Sequence, residues 1–138
     1  MNKKLQLEKL NSRSINTLME TLDIKYTDIG EDFLVATMPV SSKVYQPSGI
    51  LHGGATVALA ESVGSMAAHY FIDNTHHEVR GLEITANHLR SVRKGFVTAT
   101  AKPVHKGKTT HLWEIRVVDE HDKLVSLCKL TIIVLTKG

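Results

Sequence analysis

The chain has 138 residues, of which 42% are hydrophobic and 22% charged, with a formal net charge of +3. That is one ordinary globular domain, long enough to bury roughly two-thirds of its unfolded surface. The charge is too mild to indicate nucleic acid, the apolar stretches are too short or interrupted to span a bilayer, and a single cysteine, Cys128, excludes an intramolecular disulfide. The lone cysteine lies in an apolar C-terminal run, as a buried inert thiol would, and fits a reducing cytosol. The polar, basic N-terminus lacks a following apolar run, which predicts no signal peptide and a cytoplasmic location.

In chain order, Ile15, Leu18, Met19 and Leu22 fall at helical spacing after the capping candidates Asn11, Ser12 and Ser14, and predict a short helix packed by one face. Ile24–Asp28 and Phe33–Val40 read as two strands around the turn Gly30-Glu31-Asp32, with Pro39 marking the end of the second. A polar, uncharged turn follows, Gln46-Pro47-Ser48-Gly49-Ile50-Leu51-His52. It opens on Gly53-Gly54, where a bare backbone lets another group come close.

From Gly53 to Phe71 the sequence GGATVALAESVGSMAAHYF carries one permanent charge, Glu61. A helix apolar on nearly every face predicts a buried helix, and an unpaired buried carboxylate is costly. Glu61 is therefore the first catalytic candidate, the alternative being a carboxylate paired with Arg or Lys at a subunit contact. The N–H groups opening a helix lack internal partners and the peptide dipoles make that end electropositive, which suits an oxygen that gains charge. Gln46 adds an amide donor and His52 a donor or acid. Together these are the parts that acyl transfer requires.

Beyond the helix, Asp73–Glu78 reads as a polar loop. Its His76-His77 pair lacks further ligands at metal spacing and is expected to be solvated, so no metal is predicted. Strands are expected over Val79–Leu89, Phe96–Val104, Thr109–Asp119 and Leu124–Thr136, separated by Lys94-Gly95, Lys106-Gly107 and Asp119-Glu120-His121-Asp122. Phe96, Thr98, Thr100 and Lys102 alternate with Val97, Ala99, Ala101 and Pro103, as in a half-buried antiparallel strand. Short connections make antiparallel neighbours the simple solution. The expected class is α+β: five or six antiparallel strands wrapped around one long buried helix, with a short N-terminal helix, all in one domain spanning residues 1–138.

The pattern Gln46…His52-Gly53-Gly54…Glu61 resembles that of the hot-dog fold acyl-CoA thioesterases. The branch is that of the phenylacetate-pathway, 4-hydroxybenzoyl-CoA and 1,4-dihydroxy-2-naphthoyl-CoA thioesterases. The resemblance runs from about Ile24 to the C-terminus and includes Gly81-Leu82-Glu83-Ile84-Thr85-Ala86-Asn87-His88, His105-Lys106-Gly107-Lys108 and Trp113-Glu114-Ile115. It implies hydrolysis of an acyl-CoA, with coenzyme A as part of the substrate and no separate cofactor. By the same resemblance Glu61 is nucleophile or general base, the Gly53 N–H holds the thioester oxygen, and Gln46 and His52 orient the thioester. Ser65, one helical turn beyond Glu61 on the same face, matches a family Ser or Thr that assists the carboxylate or the water; its other reading is close helix packing. Met66 is acyl-pocket lining or core. Gly81, the run His88-Leu89-Arg90-Ser91, and the loop His105-Lys106-Gly107-Lys108-Thr109-Thr110 match stretches that contact substrate. Arg90, Lys106 and Lys108 would offer charge to phosphates, and a solvated hairpin is the other reading of the lysine loop.

Glu61 lies about 12 Å along the helix axis from Gly53 at a rise of about 1.5 Å per residue, whereas reacting groups must approach within roughly 3–3.5 Å. One helix is badly placed to supply both groups to one thioester carbon. A homodimer with antiparallel helices removes the difficulty, in agreement with the shared interfacial sites that the resemblance implies; pairing of dimers into tetramers is also common in that branch. The alternatives are a hot-dog dehydratase or hydratase, whose motifs are not seen, and a non-catalytic acyl-CoA-binding module, which would not need a carboxylate beside the thioester. The acyl group is open: aromatic acyl-CoA is favoured by the branch, with aliphatic and carrier-protein thioesters as the other possibilities.

Overall fold

The computed structural model describes residues 2–138. Six antiparallel strands form one sheet: β1 (Lys25–Ile29), β2 (Leu34–Pro39), β3 (His77–His88), β4 (Phe96–Lys106), β5 (Thr110–Val118) and β6 (Leu124–Thr136), in the order β1-β2-β4-β5-β6-β3. In β4 the side chains of Val97, Ala99 and Ala101 are buried while Phe96 and Lys102 are exposed, as the alternation predicts. The pairing stays in register from Thr98 opposite Val118 to Pro103 opposite Trp113, then shifts at a bulge before His105. The strand after the long helix pairs with β6 rather than β2, so β1 and β3 form the two edges.

The long helix α3 (Gly53–Tyr70) packs against β2, β3, β4, β5 and β6. Its buried residues, Thr56, Leu59, Ala60, Val63, Gly64, Ala67 and Ala68, recur at the spacing of one helix face. Small side chains bring that face close to the sheet: a Cβ on Gly64 would lie 2.8 Å from Leu130 Cδ2. Under the helix, fully buried Trp113 stacks on Phe71 at 6.3 Å and its indole N–H donates to His111 Nδ1 at 3.3 Å.

Burial on every face of α3 is not what the chain achieves. Ala58, Glu61, Ser62 and Ser65 face a trough between the two sheet edges, with Tyr26 of β1 on one side and Val79 of β3 on the other. Glu61 is exposed. The curled sheet stops short of closing, so one stripe of the helix lies open in a single chain.

The N-terminal helix also differs from expectation. α1 spans Lys3–Ser12, capped by Asn2, whose side-chain oxygen accepts from Leu5 N–H at 2.9 Å. It docks through buried Leu10 and through Asn11, which accepts from Tyr26 N–H at 2.8 Å and donates to Tyr26 C=O at 3.0 Å. Its weak apolar periodicity hid it, because specific contacts rather than a stripe hold it down: beside Leu10 and Asn11, Gln6 donates to the Tyr70 hydroxyl at 2.6 Å and Lys3 pairs with Asp28 at 2.8 Å. The expected helix around Ile15–Leu22 shrinks to one turn, α2 (Leu18–Thr21), after Asn16 at φ 62°. The polar loop before β3 is also shorter than expected, since β3 starts at His77.

Leu59→Ala empties a fully buried site under α3 and is expected to lower unfolding free energy by about 2–5 kcal/mol in urea at fixed protein concentration. Ser62→Ala, on the open face, should stay within about 0.5 kcal/mol of the parent. A second expectation concerns pH. Burial, reinforced by Lys106 and His105, holds the His111 pKa below its usual 6.5. The native state therefore resists a proton that the unfolded chain accepts, so His111 lowers stability as pH falls below about 6.5 and not above it. His111→Asn keeps an acceptor for Trp113, and the slope of urea midpoint against pH in that window should flatten.

Candidate active site

The approach to α3 is built by backbone bonds within the turn. Tyr45 bridges to Leu51, Gln46 N–H donates to Ile50 C=O at 2.8 Å, and Gly49 N–H donates to Gln46 C=O at 2.9 Å with Gly49 at φ 74°. The Gln46 side-chain carbonyl accepts from Ser48 N–H, so its amide NH2 is the end left to a ligand. His52 caps the helix, its Nδ1 accepting from Gly54 N–H at 2.8 Å. The N–H of Gly53 finds no hydrogen-bond partner among the described residues. It stands at the electropositive end of an 18-residue helix.

His88, at the end of β3, lies beside Gly53. A Cβ on Gly53 would lie 2.9 Å from His88 Nε2, which is a steric reason for glycine there. The Ser126 hydroxyl, fully buried on β6, donates to Asn87 C=O at 3.1 Å and lies 3.1 Å from His88 Nδ1. With its one proton directed at the carbonyl, Ser126 is left to accept from His88 Nδ1–H. Gln46, Gly53, Thr56, His88, Arg90 and Ser91 line a cleft of about 370 Å³ here.

Glu61 belongs to a different cavity, the trough of about 510 Å³ that it shares with Ser65, Met66 and Tyr26. Its Oε2 lies 2.7 Å from where a Cβ on Gly81 would sit, so glycine at that point of β3 leaves room for the carboxylate. The strand bulges immediately afterwards, at Leu82. Ser65 shares the trough but makes no hydrogen bond to Glu61, and the Ser62 hydroxyl is occupied, donating to Ala58 C=O at 2.6 Å.

The remaining residues singled out from the sequence divide by position. Leu89, Arg90 and Ser91 line the cleft with His88, and Gly81 lies against Glu61. The turn from His105 to Thr110 is at the opposite end of α3: Lys106 Nζ sits 5.9 Å from the ring centre of Phe71, the residue that ends the helix. Within that turn Gly107 N–H donates to Thr110 C=O at 2.8 Å, and Lys108 and Thr109 lie between them. The chain does not bring this loop to its own Gly53. Ser126 and Tyr26 escaped the sequence reading, since a Ser or Tyr alternating in a strand carries no motif. Cys128 is buried, and burial pushes its thiol pKa up, as expected of an inert thiol. Among the described residues no cluster of three or more His, Cys, Asp or Glu is arranged to hold a metal, and no helix is long and apolar enough to cross a membrane.

This geometry coincides with clear relationships to known proteins. Residues 48–126 match the Thioesterase superfamily. The chain is 45% identical to a 1,4-dihydroxy-2-naphthoyl-CoA hydrolase of Escherichia coli, over 96% of this chain and 97% of that one. It is 44% identical to the proofreading thioesterase EntH of Cronobacter turicensis, over 92% of both. Its structure superposes on a mutant thioesterase from Pseudomonas aeruginosa with a TM-score of 0.93 at 43% identity, covering 95% of this chain and 94% of the other. A thioester is therefore the small-molecule substrate class. With a long helix held in a curled six-stranded antiparallel sheet and a free N–H at its start, this chain belongs to the thioesterase superfamily, as a thioester hydrolase of the hot-dog fold.

Proposed function

We propose that the chain hydrolyses an acyl-CoA, of aromatic acyl type, to the free acid and coenzyme A at sites shared between two copies in the cytoplasm. The observation that carries this reading is the division of the site. The unpartnered Gly53 N–H and the Glu61 carboxylate open into separate cavities, about 12 Å apart along one helix axis. Each half is incomplete alone. The outer edge of 12-residue β3 pairs with no strand among the described residues, and long open edges favour pairing with another chain. Antiparallel joining of two β3 edges sets the Glu61 stripe of one copy beside the Gly53 end of the other. A further pairing of such dimers gives the tetramer.

In the composite site the thioester oxygen lies at the Gly53 N–H of one copy, where the helix dipole receives its developing charge. Gln46 donates its free amide and His52 steadies the turn through Gly54. Glu61 of the other copy supplies the attacking oxygen, its own or that of a water it deprotonates, with the Ser65 hydroxyl one turn away to hold that water. Met66 and Val79 offer apolar surface to the acyl group. Arg90 and Ser91 meet the coenzyme A chain at the cleft mouth, and Lys106 and Lys108 reach its phosphates from across the assembly. The aromatic preference is supported by the likeness to the E. coli 1,4-dihydroxy-2-naphthoyl-CoA hydrolase.

A panel comparing kcat/KM for benzoyl, hydroxybenzoyl, phenylacetyl and straight-chain acyl-CoAs should rank aromatic substrates first; a straight-chain preference would remove that part of the reading. Glu61→Gln keeps shape and removes the base or nucleophile, and kcat is expected to fall by at least ~10²-fold with folding and dimerisation intact. Near-parental turnover would end the role. Mixing Glu61→Gln chains with Gly53→Pro chains, each first shown folded, should restore activity in heterodimers, because one site per mixed dimer keeps both groups. Verified heterodimers as inactive as their parents would place both groups in one chain's site.

A further inference from the structure

The Glu61 trough contains a group that neither the fold nor the proposed chemistry uses. Tyr26, on β1, is 2% exposed and lines the trough opposite Val79, yet its hydroxyl has no hydrogen-bond partner among the described residues. Its backbone N–H and C=O are both bonded to Asn11, so the residue is firmly placed. Its ring serves the core as a phenylalanine would; only the hydroxyl is unaccounted for. Buried hydroxyls without partners are uncommon because they are destabilising, and a ligand that completes the bond is one reason they persist. Burial pushes this hydroxyl up to about 12, against the charge of nearby Arg13, so it remains a neutral donor. Arg13 lines the same trough and reaches His69 Nε2 at 3.4 Å with one guanidinium nitrogen, which leaves others free. A neutral O–H donor and a guanidinium near each other select an acceptor oxygen.

We propose that Tyr26 and Arg13 form a specificity subsite for an acyl group bearing an oxygen substituent, a hydroxyl or a carboxylate, away from the thioester. The proposal rests on the trough being the acyl site. The oxygen accepts from the Tyr26 hydroxyl, while Arg13 adds charge if that oxygen is anionic. Next to this end, the turn between Arg13 and Leu18 buries Ser14 but leaves Ile15 and Leu18 exposed, with Asn16 left-handed, so a shift of this turn to admit an oxygen substituent would cost little buried apolar surface.

The test compares benzoyl-CoA with the monohydroxybenzoyl-CoA and carboxybenzoyl-CoA isomers. In the parent, one oxygenated thioester is expected to outrank benzoyl-CoA. In Tyr26→Phe, the ratio of their kcat/KM values should fall roughly five- to tenfold, the size of one hydrogen bond, while the thermal midpoint holds or rises because the orphan hydroxyl is gone. Arg13→Gln separates the two oxygens, cutting the ratio in a salt-dependent way for a carboxylate and sparing it for a hydroxyl. Dissociation constants for the same thioesters on a Glu61→Gln background read the subsite without hydrolysis, and Tyr26→Phe should narrow that ratio as well. An unchanged ratio in both measurements overturns the subsite. So does a Tyr26→Phe chain that loses midpoint or dimer and weakens all thioesters equally, since the hydroxyl then serves the fold or a second copy. Turnover surviving in Glu61→Gln speaks against the catalytic reading alone, and the binding ratio still decides the subsite.

Discussion

The structure depends on the close seating of one small-residue face of α3 against a curled sheet. Ala60, Gly64, Ala67 and Ala68 bring the helix near enough for Leu130 and Ile115 to fill the space where a side chain on Gly64 would stand. This contact gathers strands from β2 to β6 around a single axis. It also sets the limit of the wrap. A six-stranded sheet twisted to follow one helix leaves its edges apart, and the stripe of α3 between them holds Glu61.

The chain leaves two groups uncommitted. It exposes a carboxylate on an otherwise apolar helix, beside an edge strand with an unsatisfied backbone row. It also leaves the Gly53 N–H without a partner, in a separate cleft at the start of the helix. Both are uneconomical for an isolated fold and sensible for a site divided between copies. The polar groups nearby are held by other groups rather than by their own rotamers. His52 is fixed through Gly54, Gln46 through Ser48, and His88 through Ser126. Pre-organisation of this kind lets donors meet developing charge without reorganising.

The trough has a polar as well as an apolar wall. Met66 and Val79 line it together with Tyr26 and Arg13, so it is not a uniform hydrophobic slot. A fold that is shared by many thioesterases can thus differ in what it accepts through residues on β1 and the turn before it, which lie outside the region of the Gln46–Glu61 pattern.

Much of this was legible before any tertiary information. Alternation in Phe96–Pro103, short Gly-containing turns and one long apolar segment with a single carboxylate determine the strands, α3 and the class of fold, because backbone geometry imposes those periods locally. The Gln46…His52-Gly53-Gly54…Glu61 spacing determines the family. What the linear order could not carry is burial, since that depends on which faces the sheet reaches: Glu61, expected inside, is exposed because the edges stop short. Nor could it carry α1, whose position depends on Asn11 meeting the backbone of Tyr26 across a chain reversal. Ser126 behind His88 and Tyr26 beneath the trough were equally silent, because a hydroxyl in a strand acquires meaning only from the partner it finds or lacks. Periodicity is a local property of the chain, whereas burial and hydrogen-bond satisfaction are decided by residues distant in sequence, and only the tertiary structure brings those together.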